Sequence, residues 1–311
     1  MSDARTNAKG LSWAPDKLLL GFEAATLEFP PDYDGPVVAT LVRKAGAGTK
    51  KRAVLYVHGF IDYFFQAHMA ERFEAEGWGF YAIDLRKHGR SMLPGQHPCF
   101  CKRIDEYFAD VTRAIEGICN EVDGPLLLAG HSTGGLICSL YADAGEHRNR
   151  LSALWLNSPF FDFKVPRADR FKLGVAAATG IFFPFMSDPK GLPRDYAASL
   201  HKEFGGEWDF DLKLKPLTGF PLYFGWVGAA MAAHSKVHAG LSIACPVLVM
   251  YSDQADIVLN WRDIAKWGPG VGKDVTMQQY PGGLHDLVLS RPPIRESVLG
   301  ALFAWLGRKR L

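Results

Sequence analysis

The chain has 311 residues, enough for one large α/β domain that carries an insertion. Hydrophobic residues make up 48% of it and charged residues 22%, so it can bury a large core and extensive disorder is excluded. The 35 basic and 33 acidic side chains leave a net charge of +2 without a long block of one sign, which excludes a nucleic-acid partner.

The cysteines and the apolar stretches indicate a cytoplasmic protein. Five cysteines form an odd and sparse set, which argues against a disulfide framework. The first sixteen residues are polar, without the apolar segment and cleavage site of a signal peptide. The longest apolar stretch, 174–186, is interrupted by Gly180 and Pro184 and is shorter than the ~20 residues that a membrane span needs.

From about residue 17, short apolar runs alternate with segments of helical spacing, which predicts βαβ units and a mostly parallel sheet. The helix predicted at 104–118, for example, has apolar side chains at steps of three and four residues. In this first part of the chain the predicted strands are 37–42, 53–57, 79–85, 126–129 and 151–156, and the predicted helices are 66–76, 104–118 and 136–144.

The alternation stops at residue 160 and resumes near residue 240. The segment between is rich in Phe, Trp, Gly and Pro and predicts an inserted, largely helical lid. Strands are then predicted at 246–251 and 274–280, with a helix at 261–267 and a final helix that starts at Ser290. The expected organisation is a core of residues 1–159 and 241–311 with a lid at 160–240.

The run Gly130-His131-Ser132-Thr133-Gly134 lies between a predicted strand and a predicted helix. A sharp turn from strand to helix brings backbone close to backbone, and glycine on either side of the serine avoids the clash. Such a turn exposes the serine hydroxyl and leaves the N–H of Thr133 at a helix start, where it can donate to an oxyanion. We therefore predict Ser132 as a nucleophile.

A serine nucleophile needs a histidine base and an acid, which follow the serine in the chain when it lies on such a turn. Among the later histidines only His285 follows the last predicted strand. Asp256, beyond the preceding strand, is the preferred acid, because Asp253 is expected to accept backbone N–H groups of its own turn. Asp253 and Asp162 remain alternative acids.

A second oxyanion donor is expected after the strand 53–57, where the chain reads His58-Gly59-Phe60. Glycine at position 59 lets this loop approach the acyl group closely. The backbone N–H of Phe60 is the candidate donor, and His58 is expected to brace the loop without titrating in the reaction.

Together these features resemble the α/β-hydrolase superfamily, and within it the monoacylglycerol lipases, lysophospholipases and serine aminopeptidase-like hydrolases. The resemblance covers nearly the whole chain and includes the segments 84–91 and 157–160. Lys87 stands where that group usually has glycine, and the loop from His58 to Ile61 lacks the later glycine of the lipase-type sequence. The resemblance implies a mostly parallel sheet with an inserted helical lid, and a chemistry that needs no cofactor or metal.

The expected function is hydrolysis of carboxylic esters, with monoacylglycerol or lysophospholipid-type acyl esters as small-molecule substrates. The large apolar side chains of the lid suit an acyl substrate and transient contact with lipid aggregates. One alternative is an acyltransferase that uses the same triad and an alcohol acceptor. A second alternative is a binding protein that keeps the fold without the chemistry.

Two histidine patterns could suggest a metal site. The run from His97 to Cys101 lacks further ligands at a suitable spacing. His234 and His238 lie one helical turn apart without the glutamate of the H-E-x-x-H motif, so we expect them to be paired surface histidines of the lid. No metal is predicted.

Overall fold

A nine-stranded sheet forms the centre of the protein in the computed structural model, which describes residues 10–188 and 194–311. The strands are β1 (Ala14–Pro15), β2 (Phe22–Asp32), β3 (Gly35–Lys44), β4 (Ala53–Val57), β5 (Gly79–Asp84), β6 (Leu126–His131), β7 (Leu151–Asn157), β8 (Ser187–Asp188), β9 (Leu222–Tyr223), β10 (Val247–Ser252) and β11 (Val275–Tyr280). All but β8 and β9 belong to this sheet, in the order β1-β2-β3-β5-β4-β6-β7-β10-β11.

The six strands β5, β4, β6, β7, β10 and β11 run parallel, whereas β1, β2 and β3 form an antiparallel edge. The parallel strands read as continuous apolar runs because helices cover both faces of the sheet. In β4, Val54 and Tyr56 pack into one core while Leu55 and Val57 pack into the other. The expected fold, a mostly parallel sheet flanked by helices, is confirmed.

Eight α-helices lie in the described ranges. They are α1 (Ala67–Ala75), α2 (Phe108–Cys119), α3 (Thr133–Ala144), α4 (Arg170–Phe182), α5 (Asp195–Leu200), α6 (Phe224–His238), α7 (Trp261–Trp267) and α8 (Pro292–Arg308). Helices α1 and α8 cover one face of the sheet, and α2 and α3 cover the other, together with α6 and α7. No helix in these ranges has both the length and the apolar character needed to cross a bilayer.

Strand β2 was not predicted from the sequence. It pairs with β3 from Phe22 to Phe29, and the pairing is then irregular up to Asp32 across two prolines that cannot donate to the ladder. Its outward side chains, such as Glu28, are polar and exposed, so the strand lacks the continuous apolar run by which the buried strands were recognised.

The chain between β7 and β10 holds α4, α5 and α6. Helices α4 and α6 meet closely, since a Cβ on Gly180 would lie 2.4 Å from the carbonyl carbon of Phe224. The segment also contains the short antiparallel pair β8–β9. This pair was not predicted, because the sequence of the segment shows no strand pattern. Residues 189–193 of the predicted lid, and 1–9 of the predicted core, lie outside the described residues.

Candidate active site

Ser132 lies between the end of β6 and the start of α3. Its backbone has φ 53° and ψ −118°, in the left-handed region that a non-glycine residue rarely adopts. A Cβ on Gly130 would lie 2.5 Å from the carbonyl oxygen of Gly134, and a Cβ on Gly134 would lie 2.3 Å from that of Val57. The spacing of glycines around the serine is therefore a steric requirement of this turn.

His285 and Asp256 form a buried pair at the carboxyl edge of the sheet. The imidazole Nδ1 lies 2.9 Å from Oδ2 of Asp256. The other carboxylate oxygen, Oδ1, accepts the N–H groups of Val258 at 2.7 Å and Leu259 at 2.9 Å. Nδ1 therefore carries the proton, and the carboxylate fixes the orientation of the ring.

The carboxyl group of Asp256 is held in its ionised form. Burial alone would raise its pKa, but the charge and hydrogen bond of His285, with the two backbone N–H groups, outweigh burial and lower the pKa below its ordinary value of 3.8. A carboxylate that stays ionised is the state that stabilises an imidazolium at His285.

The remaining nitrogen of His285, Nε2, is buried and has no hydrogen-bond partner among the described residues. The His285 ring lies 4.7 Å, centroid to centroid, from the ring of His131, the residue that precedes Ser132. The structure thus brings His285 next to the serine turn and leaves Nε2 free, but it forms no hydrogen bond between Nε2 and the Ser132 hydroxyl.

The two alternative acids have other partners. Asp253 accepts the N–H groups of Ala255 at 2.9 Å and Gly282 at 3.1 Å, the turn contacts expected for it. Asp162 receives a hydrogen bond from the guanidinium of Arg170 at 2.6 Å. Neither carboxylate contacts His285, so the geometry favours Asp256.

The loop after β4 lies against the serine. A Cβ on Gly59 would lie 3.2 Å from the Cβ of Ser132, which explains the need for glycine there. His58 is fully buried, and its Nε2 accepts the N–H of Leu85 at 3.1 Å. Its Nδ1 therefore donates to the carbonyl of Gly59, 2.7 Å away, so His58 braces the loop, as the sequence predicts.

The two predicted oxyanion donors are Phe60 and Thr133. Their backbone N–H groups make no hydrogen bond to any described residue. The ring of Phe60 stacks on Trp226 of α6 at 4.1 Å, and the next residue, Ile61, has φ 51°. The segment between β7 and β10 therefore covers this loop directly.

Segment 84–91 packs against the loop that follows β4. Oδ1 of Asp84 accepts the N–H of Phe64 at 2.8 Å, and Oδ2 accepts the guanidinium of Arg90 at 2.9 Å. The ring of His88 lies 5.0 Å from that of His58. This arrangement ties the loop after β5 to the loop after β4.

Lys87, which replaces the usual glycine, has φ 62° and is fully buried. The left-handed backbone explains why glycine suits this position. The ammonium of Lys87 lies 2.9 Å from Oδ2 of Asp32 and 3.4 Å from Oδ2 of Asp34, in the turn between β2 and β3. It also lies 4.4 Å from the centre of the Tyr33 ring.

Several polar residues near His285 were missed by motif reasoning. Asn157 donates from Nδ2 to Asp286 Oδ1 at 2.7 Å, and Gln66 donates from Nε2 to Asp286 Oδ2 at 3.2 Å. The hydroxyl of Tyr196 accepts the N–H of Asp286 at 2.9 Å, and the Tyr196 ring meets that of His285 edge to face. Asn157 was noted only within a resembling segment, and the other contacts join residues far apart in the chain.

A buried ion pair joins the loop after β4 to the segment between β7 and β10. Lys215 Nζ lies 2.7 Å from Oδ1 of Asp62, with side chains only 7% and 4% exposed. The ammonium also lies 5.0 Å from the ring centre of Phe65. Because Asp62 is two residues beyond Phe60, this pair holds the same loop that carries a predicted oxyanion donor.

His234 and His238 both contact backbone carbonyl groups. His234 donates to the carbonyl of Phe160 at 3.1 Å, and His238 contacts that of Phe161 at 2.8 Å. His234 is buried, so the expectation of a surface histidine was wrong for it; it anchors α6 to the chain that leaves β7. In the described ranges, no three His, Cys, Asp or Glu side chains are grouped to hold a metal.

Comparison with known proteins places this geometry in a family. Residues 48–291 match the family model described as serine aminopeptidase, S33. The chain is 32% identical to the monoglyceride lipase of Saccharomyces cerevisiae, over 85% of this chain and 87% of that protein. It is 24% identical to the monoacylglycerol lipase of Mycolicibacterium smegmatis, over 81% of this chain and 87% of that protein.

The fold agrees with a solved structure from the same group. A crystal structure of a soluble variant of the Saccharomyces cerevisiae monoglyceride lipase with a substrate analogue superposes with a TM-score of 0.69 and 20% identity, over 92% of this chain and 96% of that one. The chain therefore belongs to the serine aminopeptidase (S33) family, in the monoacylglycerol lipase-like group of the α/β-hydrolases, and is a carboxylic ester hydrolase.

Proposed function

We propose that the protein hydrolyses acyl esters of the monoacylglycerol or lysophospholipid type through an acyl-enzyme on Ser132. The observation that carries this proposal is the 2.9 Å contact between His285 Nδ1 and Asp256, with the free Nε2 of the same ring beside the strained turn of Ser132. A base oriented by a carboxylate, next to a serine on such a turn, is the arrangement that activates a hydroxyl.

In the acylation step, the Ser132 oxygen attacks the ester carbonyl and its proton passes to Nε2 of His285. The negative charge that develops on the carbonyl oxygen is held by the N–H groups of Phe60 and Thr133, which have no other described partner. The imidazolium then gives its proton to the departing alcohol as the carbon–oxygen bond breaks. Asp256 stays ionised and stabilises the imidazolium throughout.

In the deacylation step, water replaces the alcohol. His285 takes a proton from water as its oxygen attacks the acyl carbon, and the same N–H groups hold the second oxyanion. The proton then passes to the Ser132 oxygen, which leaves as the free hydroxyl, and the fatty acid departs. The cycle consumes one ester and one water and needs no cofactor.

The apolar cover of the site supports an acyl substrate. Phe60 stacks on Trp226, and Trp226 lies parallel to Phe160 with ring centroids 6.2 Å apart. Small-molecule sites that accept acyl chains are lined mainly by such side chains, with a few polar groups at the reacting end. Two relatives are named monoglyceride or monoacylglycerol lipase, which supports the same substrate class.

We expect the segment between β7 and β10 to act as a lid over the reaction centre. The low exposure of Ser132, Asp256 and His285, at 9%, 2% and 3%, supports this expectation, and two cavities of about 780 and 800 Å³ among the described residues are lined by other side chains. An ester with a long acyl chain therefore requires the segment between β7 and β10 to move. The exposed apolar side chains of that segment would meet a lipid surface as it opens: Phe171, Val175, Ile181, Phe182 and Phe183.

Replacement of the nucleophile tests the proposal. Ser132→Ala should abolish hydrolysis of a p-nitrophenyl ester and covalent labelling by a fluorophosphonate probe, because both require the same oxygen. Ser235→Ala, an exposed serine on α6, is the matched control and should retain both activities. Full esterase activity in Ser132→Ala would refute the mechanism, and absence of labelling in the wild type would favour a binding protein.

A panel of esters tests the substrate class. Glycerol monoesters and lysophospholipids with acyl chains of graded length should give the highest kcat/KM for long chains, with a further rise when the substrate forms micelles. Activity restricted to acetyl and butyryl esters would contradict the proposal. Product analysis with added alcohols separates hydrolysis from acyl transfer, since transfer would yield a new ester in place of the free acid.

A further inference from the structure

One buried asparagine, Asn157, makes hydrogen bonds both to Ser132 and to the two residues that follow His285. We infer that Asn157 and Asp286 form a bridge that sets the position of His285 relative to Ser132, and that Asn157 is a positioning residue for the reaction. The inference rests on the proposed function, because it assigns a role within that triad. Asn157 itself touches no reacting atom in the proposed mechanism.

The backbone of Asn157 holds the serine side of the bridge. Asn157 is the last residue of β7 and pairs with His131 of β6 across the parallel ladder. Its carbonyl oxygen accepts the N–H of Ser132 at 3.0 Å and lies 3.1 Å from Nδ1 of His131. The strained backbone of Ser132 is therefore fixed directly by this residue.

The side chain of Asn157 holds the histidine side. Nδ2 donates to Oδ1 of Asp286 at 2.7 Å, and Oδ1 accepts the N–H of Leu287 at 3.2 Å. Asp286 and Leu287 are the two residues that follow His285. One amide group therefore clamps the loop that carries the proposed base, and the residues it joins are 129 and 130 positions apart in the chain.

Asp286 makes the bridge sensitive to the chemical nature of residue 157. Its carboxylate is buried and is not ion-paired with any Lys, Arg or His of the described chain. It depends instead on neutral donors: the amide of Asn157, Nε2 of Gln66 at 3.2 Å and the N–H of Val288 at 3.2 Å. A buried carboxylate that loses its best donor is strongly destabilised, so the loop would shift to find water.

Gln66 extends the bridge to the oxyanion loop. Its Oε1 accepts the N–H of Phe65, at the end of the loop that begins at His58. The side chain of Asp286 is thus connected to Asn157, which holds the backbone of Ser132, and through Gln66 to the loop that carries the oxyanion donor Phe60. Displacement of a reacting group by about 1 Å can lower a rate by about 100-fold, so a defect in the bridge should appear in the chemical step.

Exchange of the two polar groups tests the bridge. Asn157→Asp places two carboxylates face to face, and we expect kcat and the fluorophosphonate labelling rate of Ser132 to fall about 100-fold with little change in KM. The double variant Asn157→Asp with Asp286→Asn restores a donor opposite an acceptor. It keeps acceptors for the N–H of Leu287 and for Gln66, but it places an amide N–H₂ against the N–H of Val288, which shares Oδ1 of Asp286 with Asn157. The labelling rate should therefore recover in part, to at least about tenfold above that of Asn157→Asp.

A matched control is Asn149→Asp, which makes the same chemical change at an exposed position and should leave the labelling rate unchanged. Thermal unfolding checks that each variant is folded at the assay temperature. If Asn157→Asp is unfolded, Asn157→Ser removes both side-chain contacts without adding charge, and it should show the same loss in kcat.

The outcomes separate the bridge from the proposed function. A wild type that the probe does not label would refute the serine mechanism itself. A labelled wild type together with a folded Asn157→Asp, or Asn157→Ser, that reacts at the same rate would refute the bridge. A double variant no faster than Asn157→Asp would also refute it, because mere loss of packing predicts no rescue by exchange.

Discussion

Asp253 and Asp256 follow the same strand, yet their carboxylates have different partners. Asp256 contacts the ring of His285, whereas Asp253 accepts the N–H groups of its own turn. We predict that Asp256→Asn lowers kcat by about 10³- to 10⁴-fold, because an amide no longer fixes the imidazole tautomer or stabilises its charge. Steady-state kinetics on a soluble ester measures this.

Asp253→Asn is the control for that change. It removes the same charge three residues away, where the amide oxygen can still accept the N–H groups of Ala255 and Gly282. Its kcat should stay close to that of the wild type. A loss in Asp253→Asn as large as in Asp256→Asn would contradict the assignment of the acid.

Buried histidines make the stability depend on pH. Burial lowers the pKa of His68 to about 4, of His88 to about 3 and of His234 to about 4. Between pH 6.5 and these values the unfolded chain binds more protons than the folded one, so the free energy of unfolding falls as the pH falls. The stability is regained as the pH rises toward 7.

His234→Gln isolates one of these contributions, because the Gln amide can still donate to the carbonyl of Phe160. At pH 5 the His234 contribution amounts to about 2 kcal/mol. The melting temperature of His234→Gln should therefore drop less than that of the wild type between pH 7 and pH 5. Parallel curves for the two proteins would show that His234 takes up a proton in the folded state.

At the scale of single elements, helix α3 starts where β4 leaves no space for a side chain. A Cβ on Gly134 would lie 2.3 Å and 2.4 Å from the carbonyl oxygens of Val57 and His58. Gly134→Ala should therefore destabilise the protein by more than about 2 kcal/mol and displace the serine turn, lowering activity. Denaturant unfolding and ester hydrolysis measure the two effects.

Gly300, within α8, provides the opposite case. A Cβ there has no heavy atom within 4 Å, so Gly300→Ala should stabilise the helix by about 0.5–1 kcal/mol. Equal effects of the two substitutions would mean that helix propensity, and not the contact with β4, determines the glycine at 134.

The sequence could predict those parts of the fold that leave a local pattern in the chain. The turn at Ser132 was recognisable because its steric requirement leaves glycine at fixed spacing in the chain. The buried strands were recognisable because helices on both faces make them continuously apolar. Strand β2 was not, since its identity as a strand comes from pairing with β3, and only three of its eleven residues are buried.

At the scale of the whole molecule, the pair Asp62–Lys215 links the loop after β4 to the segment between β7 and β10, across 153 residues of chain. Removing one partner of a buried ion pair leaves a buried charge, so Asp62→Asn or Lys215→Met alone should each cost about 3–5 kcal/mol. The double variant should cost less than the sum of the two. Denaturant unfolding of the four proteins measures the coupling.

The exposed pair Lys202–Asp209, whose side chains are 54% and 67% exposed, is the matched control, and its cycle should show almost no coupling. A coupling for Asp62 and Lys215 as small as that of the exposed pair would contradict the view that they hold the segment between β7 and β10 against the loop after β4.

These long-range contacts mark the limit of what the sequence predicts about the site. Ser132, Asp256 and His285 each follow a strand and were proposed from their order in the chain. Asp286 and Lys215 carry no motif, and the segment that contains Asn157 gave no sign of its role, because each of the three acquires its partner only when distant segments meet. Charge and amide groups of this kind become recognisable once the strand order has placed them at one edge of the sheet.

Lys87 has a consequence for redesign of this protein toward the common sequence of its group. Glycine at this position would relax the left-handed backbone, and such replacements usually stabilise a protein. Here glycine would also remove the one cation that pairs with Asp32 among the described residues. Asp32 would then lie beside Asp34 without the ammonium that now neutralises the two carboxylates. Lys87→Gly should therefore lower the melting temperature, even though glycine is the usual residue of the group at this position.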